Sequence, residues 1–262
     1  MIQEMKSVPP APHRHGTALV TGAGSGIGRA IAIALCNAGY HVILAGRRRV
    51  PLSALASQLG EDRTTVWPVD ITQPAALPSF TDGLCSLDIL VHSAGMFDSG
   101  KLADIPPDSK ELLYRVNVSA PLHLSGLLLP ALRKARGQIV FINSTASLGA
   151  RVTQDAYAAS KHALRQEVAH FRERNRGSGI RVLNVYPGRT ATPMQSEVLR
   201  QEGRPDADIS LLQPEDIATV ILDSIAMPRR AEVTDIVIRP AEHADDSREV
   251  KDRHEWRPDA GS

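Results

Sequence analysis

Short β-branched runs alternate with longer amphipathic stretches along most of the chain, and this alternation restricts the fold more than any other property of the sequence. The runs are Ala18–Thr21, Val42–Ala45, Thr65–Val69, Ile89–His92, Gln138–Asn143, Arg181–Tyr186 and Val233–Ile238. Most are apolar without strict alternation, the pattern of strands buried on both faces. Between them, Ile27, Ile31, Ala34, Leu35 and Ala38 recur at helical spacing and Gly39 stops that helix; Leu164, Val168 and Phe171 repeat the pattern later. Seven strand and six helix candidates in alternation predict an α/β fold, a doubly wound parallel sheet of about seven strands with helices on both faces. Right-handed crossovers set the winding. In such sheets ligands bind outside the carboxyl ends of the strands, where strand order reverses, so functional residues are sought just after strand ends.

Outside the alternation the chain changes character. Residues 1–15 hold Pro9, Pro10 and Pro12 beside His13, Arg14 and His15, and read as a flexible N-terminal arm. Residues 241–262 carry seven acidic and four basic residues and almost no aliphatics, and read as a charged, disordered tail with Trp256 its only anchoring side chain. Residues 16–240 then form one domain. The 30 basic and 29 acidic residues nearly cancel, which removes the electrostatic case for a nucleic acid or an anionic membrane as partner. No run approaches the ~20 apolar residues of a membrane span, and no secretory signal is expected, so the protein is expected in the cytoplasm. Cys36 and Cys85 have no metal-type neighbours, so neither a disulfide framework nor a metal site is expected.

After the first strand comes Gly22-Ala23-Gly24-Ser25-Gly26-Ile27-Gly28, and then the first helix. Glycines permit a tight turn and let backbone approach a pyrophosphate, while the helix start adds unpaired N–H groups and a positive dipole end. The spacing is Gly-x-x-x-Gly-x-Gly rather than the general Gly-x-Gly-x-x-Gly fingerprint. About 20 residues further on, an acid would bond the adenosine ribose hydroxyls. This chain instead has Gly46-Arg47-Arg48-Arg49. A guanidinium pairs well with a phosphate, so NADP(H) is favoured over NAD(H), with Arg47 the first phosphate reader and Arg48 the second.

Tyr157 and Lys161 stand four apart at the start of a long helical pattern, so phenol and ammonium share one helix face. A neighbouring cation favours the phenolate, which would bring the tyrosine toward a working acid/base. Ser144 lies 13 residues upstream of Tyr157 at the end of the fifth run, and Asn117 lies in the preceding helical stretch. The glycine turn, Asn117, Ser144, Tyr157-x-x-x-Lys161 and Pro187-Gly188 occur together, in an order and spacing that resembles the short-chain dehydrogenase/reductase family, in its short single-domain branch. The resemblance runs from about Thr17 to Pro240.

That resemblance implies a Rossmann-type, NAD(P)-binding catalytic domain and an oxidoreductase moving a hydride between nicotinamide and an alcohol or carbonyl substrate. It implies that Tyr157 is the acid/base, that Lys161 lowers the tyrosine pKa and binds the nicotinamide ribose, and that Ser144 polarises the carbonyl. It implies that Asn117 holds a water in a proton relay and that Asp70 sits near the adenine amino group. Pro187, Gly188, Thr190 and Thr192 would surround the carboxamide, and Ala94 and Gly95 would let backbone approach the cofactor beside Gly22, Ser25, Gly26, Ile27 and Gly28. One departure is His92-Ser93-Ala94-Gly95, where the family usually has Asn-Asn-Ala-Gly; His92 is read as a structural stand-in. The family also implies a homodimer or homotetramer, with apolar Leu112, Leu113, Val116, Leu122, Leu127 and Leu128 available to a helical interface or to the core.

Substrate contacts are expected from Met96, Phe97, Leu148, Val152, Gln154, Met194 and Leu199, with Arg151 and Arg189 as carboxylate partners if the substrate is a hydroxy acid. A ketone or aldehyde of small to medium size fits the rest. The competing readings are an NAD(H)-dependent alcohol dehydrogenase of the same family and a non-catalytic dinucleotide-binding regulator. Retention of Tyr157, Lys161, Ser144 and Asn117 weighs against the regulator.

Overall fold

The computed structural model describes residues 16–98, 100, 103–149, 155–203 and 210–241. The arm over 1–15 and the tail from 242 onward lie outside the described residues. The strands are β1 (Thr17–Thr21), β2 (His41–Gly46), β3 (Thr64–Pro68), β4 (Ile89–His92), β5 (Gln138–Ile142), β6 (Arg181–Pro187) and β7 (Asp235–Ile238). The helices are α1 (Gly26–Asn37), α2 (Arg49–Leu59), α3 (Pro78–Thr81), α4 (Pro107–Tyr114), α5 (Ala120–Ala135), α6 (Ala156–Arg174), α7 (Pro193–Gln201) and α8 (Pro214–Ala226). All seven predicted strands form, each within two residues of its expected bounds, and pair in parallel in the order β3-β2-β1-β4-β5-β6-β7. Strand order reverses between β1 and β4, which opens a crevice at their carboxyl ends.

The strands are apolar throughout because both faces are covered. Along β1, Ala18 and Val20 face one core layer with Ile31, Leu35, Ile217 and Ile221 of α1 and α8. Leu19 faces the other, with Leu124, Leu128, Val168 and Phe171 of α5 and α6. Each such fully buried aliphatic contributes about 1.5–3 kcal/mol to burial. Leu113 and Leu128 are buried within the chain, Leu113 with Ile105 and Ala156, and Leu122 and Leu127 pack against the layer that holds Leu128, so these four belong to the interior. Leu112 and Tyr114 on α4 remain exposed. No described helix is long and apolar enough to cross a membrane.

The helical stretch that holds Asn117 is interrupted. Arg115–Ser119 form a widened π-helical turn between α4 and α5. Asn117 sits in it, buried. Such turns accompany functional sites because they displace one residue from the helical ladder.

Candidate active site

A cavity of about 1430 Å³ follows the crevice along the strand ends. Its floor is the β1–α1 turn. Gly22 and Gly26 have φ of 70° and 52°, in the left-handed region that favours glycine. A Cβ on Gly22 would meet the Ala94 nitrogen at 2.8 Å, so the turn rests directly on the β4 end. Gly28 does not itself line the cavity; its position lies against the Gly22 carbonyl, so the glycine lets α1 pack onto the turn. Ser25, the N-cap of α1, makes no side-chain cap bond, and no acid occupies the first turn. The N-terminal N–H groups are therefore left for an anion.

Arg47 and Arg48 line the cavity after β2, both exposed, and neither has an ion-pair partner among the described residues. Asp70 also lines it; its Oδ1 accepts from the Thr72 backbone N–H at 2.9 Å and hydroxyl at 2.7 Å, leaving Oδ2 uncommitted. Ile27, Ala94, Gly95, Pro187, Gly188, Thr190 and Thr192 complete this wall. Thr192 caps α7, its Oγ1 accepting from the Gln195 N–H at 3.1 Å, while its methyl group crowds the position of Gly26. A bare glycine cradle and free helix N–H groups fit the pyrophosphate of a dinucleotide.

The β4 departure is resolved by other residues. Thr21 Oγ1 accepts from the N–H groups of Ser93 and Ala94 at 3.1 and 3.2 Å. His92 is buried, with Nε2 2.8 Å from the Ser125 hydroxyl and its ring stacked on Phe141. Burial pulls its pKa down to about 3. The unfolded chain takes up this proton near pH 6.5, whereas the folded chain refuses it until about pH 3. The stabilisation is therefore complete above pH 6.5 and is lost on acidification toward pH 3, at about 1.4 kcal/mol per pH unit. His92→Gln is expected to flatten the dependence of unfolding free energy on pH by that slope, measured by urea titration between pH 6.5 and 4; an unchanged slope would contradict it.

At the other end, β5 and α6 bring three predicted residues together. Ser144 follows β5; its Oγ accepts from the Ala146 N–H at 3.1 Å, so its proton remains to donate. Asp155 caps α6 through the Ala158 N–H at 2.8 Å and fixes the helix start that carries Tyr157. Lys161 is buried, donates to the Ile142 carbonyl at 2.9 Å, and stands 5.9 Å from the Tyr157 ring centre. Phe97 meets the same ring edge-on at 5.1 Å.

The charges differ from the simple expectation. Burial pushes the Tyr157 phenol up to about 12; the Ser144 hydrogen bond opposes this and Asp155 adds to it. Burial also pulls the Lys161 ammonium down to about 8. Loss of solvent favours the neutral form of each group.

Asn117 does not line the cavity. Its Oδ1 accepts from the Met96 N–H, and its Nδ2 donates to the Met96 carbonyl and the Ser160 hydroxyl, each at 2.9 Å. It ties the β4 end to α6, which leaves no side-chain donor free for a water. Met96, Phe97 and Met194 line the substrate end, with Leu112 and Val116. Leu148 and Leu199 do not line it. Arg151, Val152 and Gln154 lie outside the described residues. Arg239 and Pro240, after β7, line the cavity although the sequence does not single them out as site residues. The signal available was the rule that ligands gather at carboxyl ends of strands, applied to the last strand as well.

The family model described as short chain dehydrogenase matches residues 16–203. An uncharacterized oxidoreductase of Staphylococcus aureus (strain USA300) is 30% identical over 228 residues, spanning 85% of this chain and 96% of its own. A metagenomic short-chain oxidoreductase solved in complex with NADP superposes with a TM-score of 0.73 at 27% identity, covering 87% of this chain and 97% of its own. Serine dehydrogenase from Escherichia coli gives 0.72 at 25%, covering 85% and 96%. With its parallel sheet, glycine turn and Ser-Tyr-Lys wall, this chain belongs to the short chain dehydrogenase family of oxidoreductases.

Proposed function

We propose that the protein is an NADP(H)-dependent oxidoreductase interconverting an alcohol and a small to medium carbonyl compound, with Tyr157 as acid/base. The observation that carries this reading is the single cavity that joins two unpaired arginines at one end to Ser144, Tyr157 and Lys161 at the other. A bound nicotinamide supplies or accepts the hydride. As a carbonyl is reduced, negative charge develops on its oxygen. The Ser144 hydroxyl donates to that oxygen, and Tyr157 delivers the proton. A neutral phenol suits delivery, because the proton it gives is firmly held until the stronger oxyanion base forms. Lys161 donates one of its three N–H groups to Ile142 and keeps the others for a ribose hydroxyl and for the phenolate left behind. Alcohol oxidation follows the same path in reverse.

Assembly as a homodimer or homotetramer in the cytoplasm belongs to the same reading, with exposed Tyr114 of α4 on the surface available for it.

Purified protein mixed with pooled ketones and aldehydes is expected to consume NADPH faster than NADH, followed by absorbance. Consumption of neither would overturn the reading; faster use of NADH would overturn the arginine argument alone. Arg47→Asp is expected to weaken NADPH binding roughly tenfold or more while sparing NADH, by removing a charge-assisted contact to phosphate. Equal losses for both cofactors would remove Arg47 as the phosphate reader.

A further inference from the structure

Arg189 was a candidate carboxylate receptor, and it does line the cavity. Its guanidinium is already engaged. It follows Gly188 in the β6–α7 loop, and Glu202 stands directly after α7. Arg189 Nη1 donates to one Glu202 oxygen at 3.0 Å and Nη2 to the other at 2.9 Å. This is the fork-on-fork geometry by which arginine recognises carboxylates in general. Glu202 lines the same cavity, and the two side chains keep 42% and 35% of their exposure. The pair therefore faces the cavity and is not there to neutralise a charge in the core. An incoming carboxylate would find the Nη fork taken and only the Nε and outer Nη N–H groups left, beside the negative charge of Glu202.

The neighbouring groups offer an anion little in exchange. Glu197 lines the cavity but is held by Arg200 and Gln201. Asp155 places a negative charge beside Tyr157. Met96, Phe97, Met194 and Val198 are apolar. Arg239, exposed at the end of β7, also lines this cavity and has no ion-pair partner among the described residues.

We infer that Glu202 sets the charge class of the substrate: by filling the fork of Arg189 it makes the site accept uncharged carbonyl compounds and reject those that carry a carboxylate. The inference deepens the carbonyl-oxidoreductase reading and rests on it for the word substrate. Removing the charge of Glu202 turns Arg189 into a carboxylate receptor in the same wall.

Phenylglyoxylate and its methyl ester test this, because they share ring and ketone and differ in charge. With the protein loaded with NADP+, no reduction takes place and affinity can be read by calorimetry. Glu202→Gln is expected to bind phenylglyoxylate roughly tenfold more tightly than the native chain, the gain of one charge-assisted bidentate contact. The ester should change far less. The double variant Glu202→Gln with Arg189→Met should lose the gain, and Glu202→Asp, which keeps the charge, should stay close to the native chain. With NADPH, the ratio of kcat/KM for acid over ester should rise by the same order in Glu202→Gln. Unmoved affinity for the acid in a folded Glu202→Gln protein would overturn the inference. So would a gain that survives in the double variant, since Arg239 would then be the receptor. If the native protein reduces neither compound, the carbonyl reading fails for this substrate size, while binding to the NADP+ complex still decides the role of Glu202.

Discussion

Tyr157→Phe is expected to lower kcat by roughly a thousandfold, within the range that a positioned acid/base supplies. Cofactor affinity should stay close to native. The phenyl ring preserves the edge contact with Phe97 and the packing at the start of α6. Only the hydroxyl is lost. Steady-state rates paired with NADPH titration by fluorescence separate the two effects. Turnover within about tenfold of native would assign the proton to another group, because a loss that small falls below the contribution of general acid catalysis. A matching loss of NADPH binding would instead point to a collapsed wall.

Gly28→Ala should produce the second large effect, through the backbone. An added Cβ would lie 2.4 Å from the Gly22 carbonyl oxygen and 2.8 Å from its carbon. Neither atom belongs to a flexible side chain, so α1 must lift away from the turn. Overpacking of this kind costs about 1–3 kcal/mol, and in a chain of this size lowers Tm by roughly 2–4 °C per kcal/mol. The displaced α1 N-terminus should also cost at least tenfold in NADPH affinity, roughly the worth of the charge-assisted bonds it makes to phosphate. Gly126→Ala is the control. It lies on α5, and a Cβ there meets nothing within 4 Å. That variant should hold or raise Tm, because alanine is about 0.5–1 kcal/mol better than glycine in a helix. Equal melting curves for the two variants would contradict the packing role of Gly28.

The strands were legible because burial on both faces writes an unbroken apolar run. Their ends were less so: Val233 and Thr234 continue the β-branched run of β7 yet stand before its first ladder pair at Asp235. The π-helical turn at Asn117 was invisible, since Arg115–Ser119 are residues that any helix accepts. Tyr157 and Lys161 could be placed side by side from their spacing, but not their charge balance, which depends on how much solvent the folded wall removes. The Arg189–Glu202 pair joins a loop to the far end of a helix 13 residues on, with no local period to announce it. Arg239 enters the cavity only because β7 pairs with β6 and brings the end of the last described strand over Gly188.

The arginines after β2 and the Ser-Tyr-Lys wall stand on opposite sides of the strand-order reversal, with no hydrogen bond joining them among the described residues. On the proposed function, coenzyme choice and chemistry are therefore separable variables. In a cell whose two nicotinamide pools are kept at different redox levels, a change confined to the β2–α2 loop could reconnect the same catalyst to the other pool. The net direction of the reaction would reverse while the reacting groups stayed as they are.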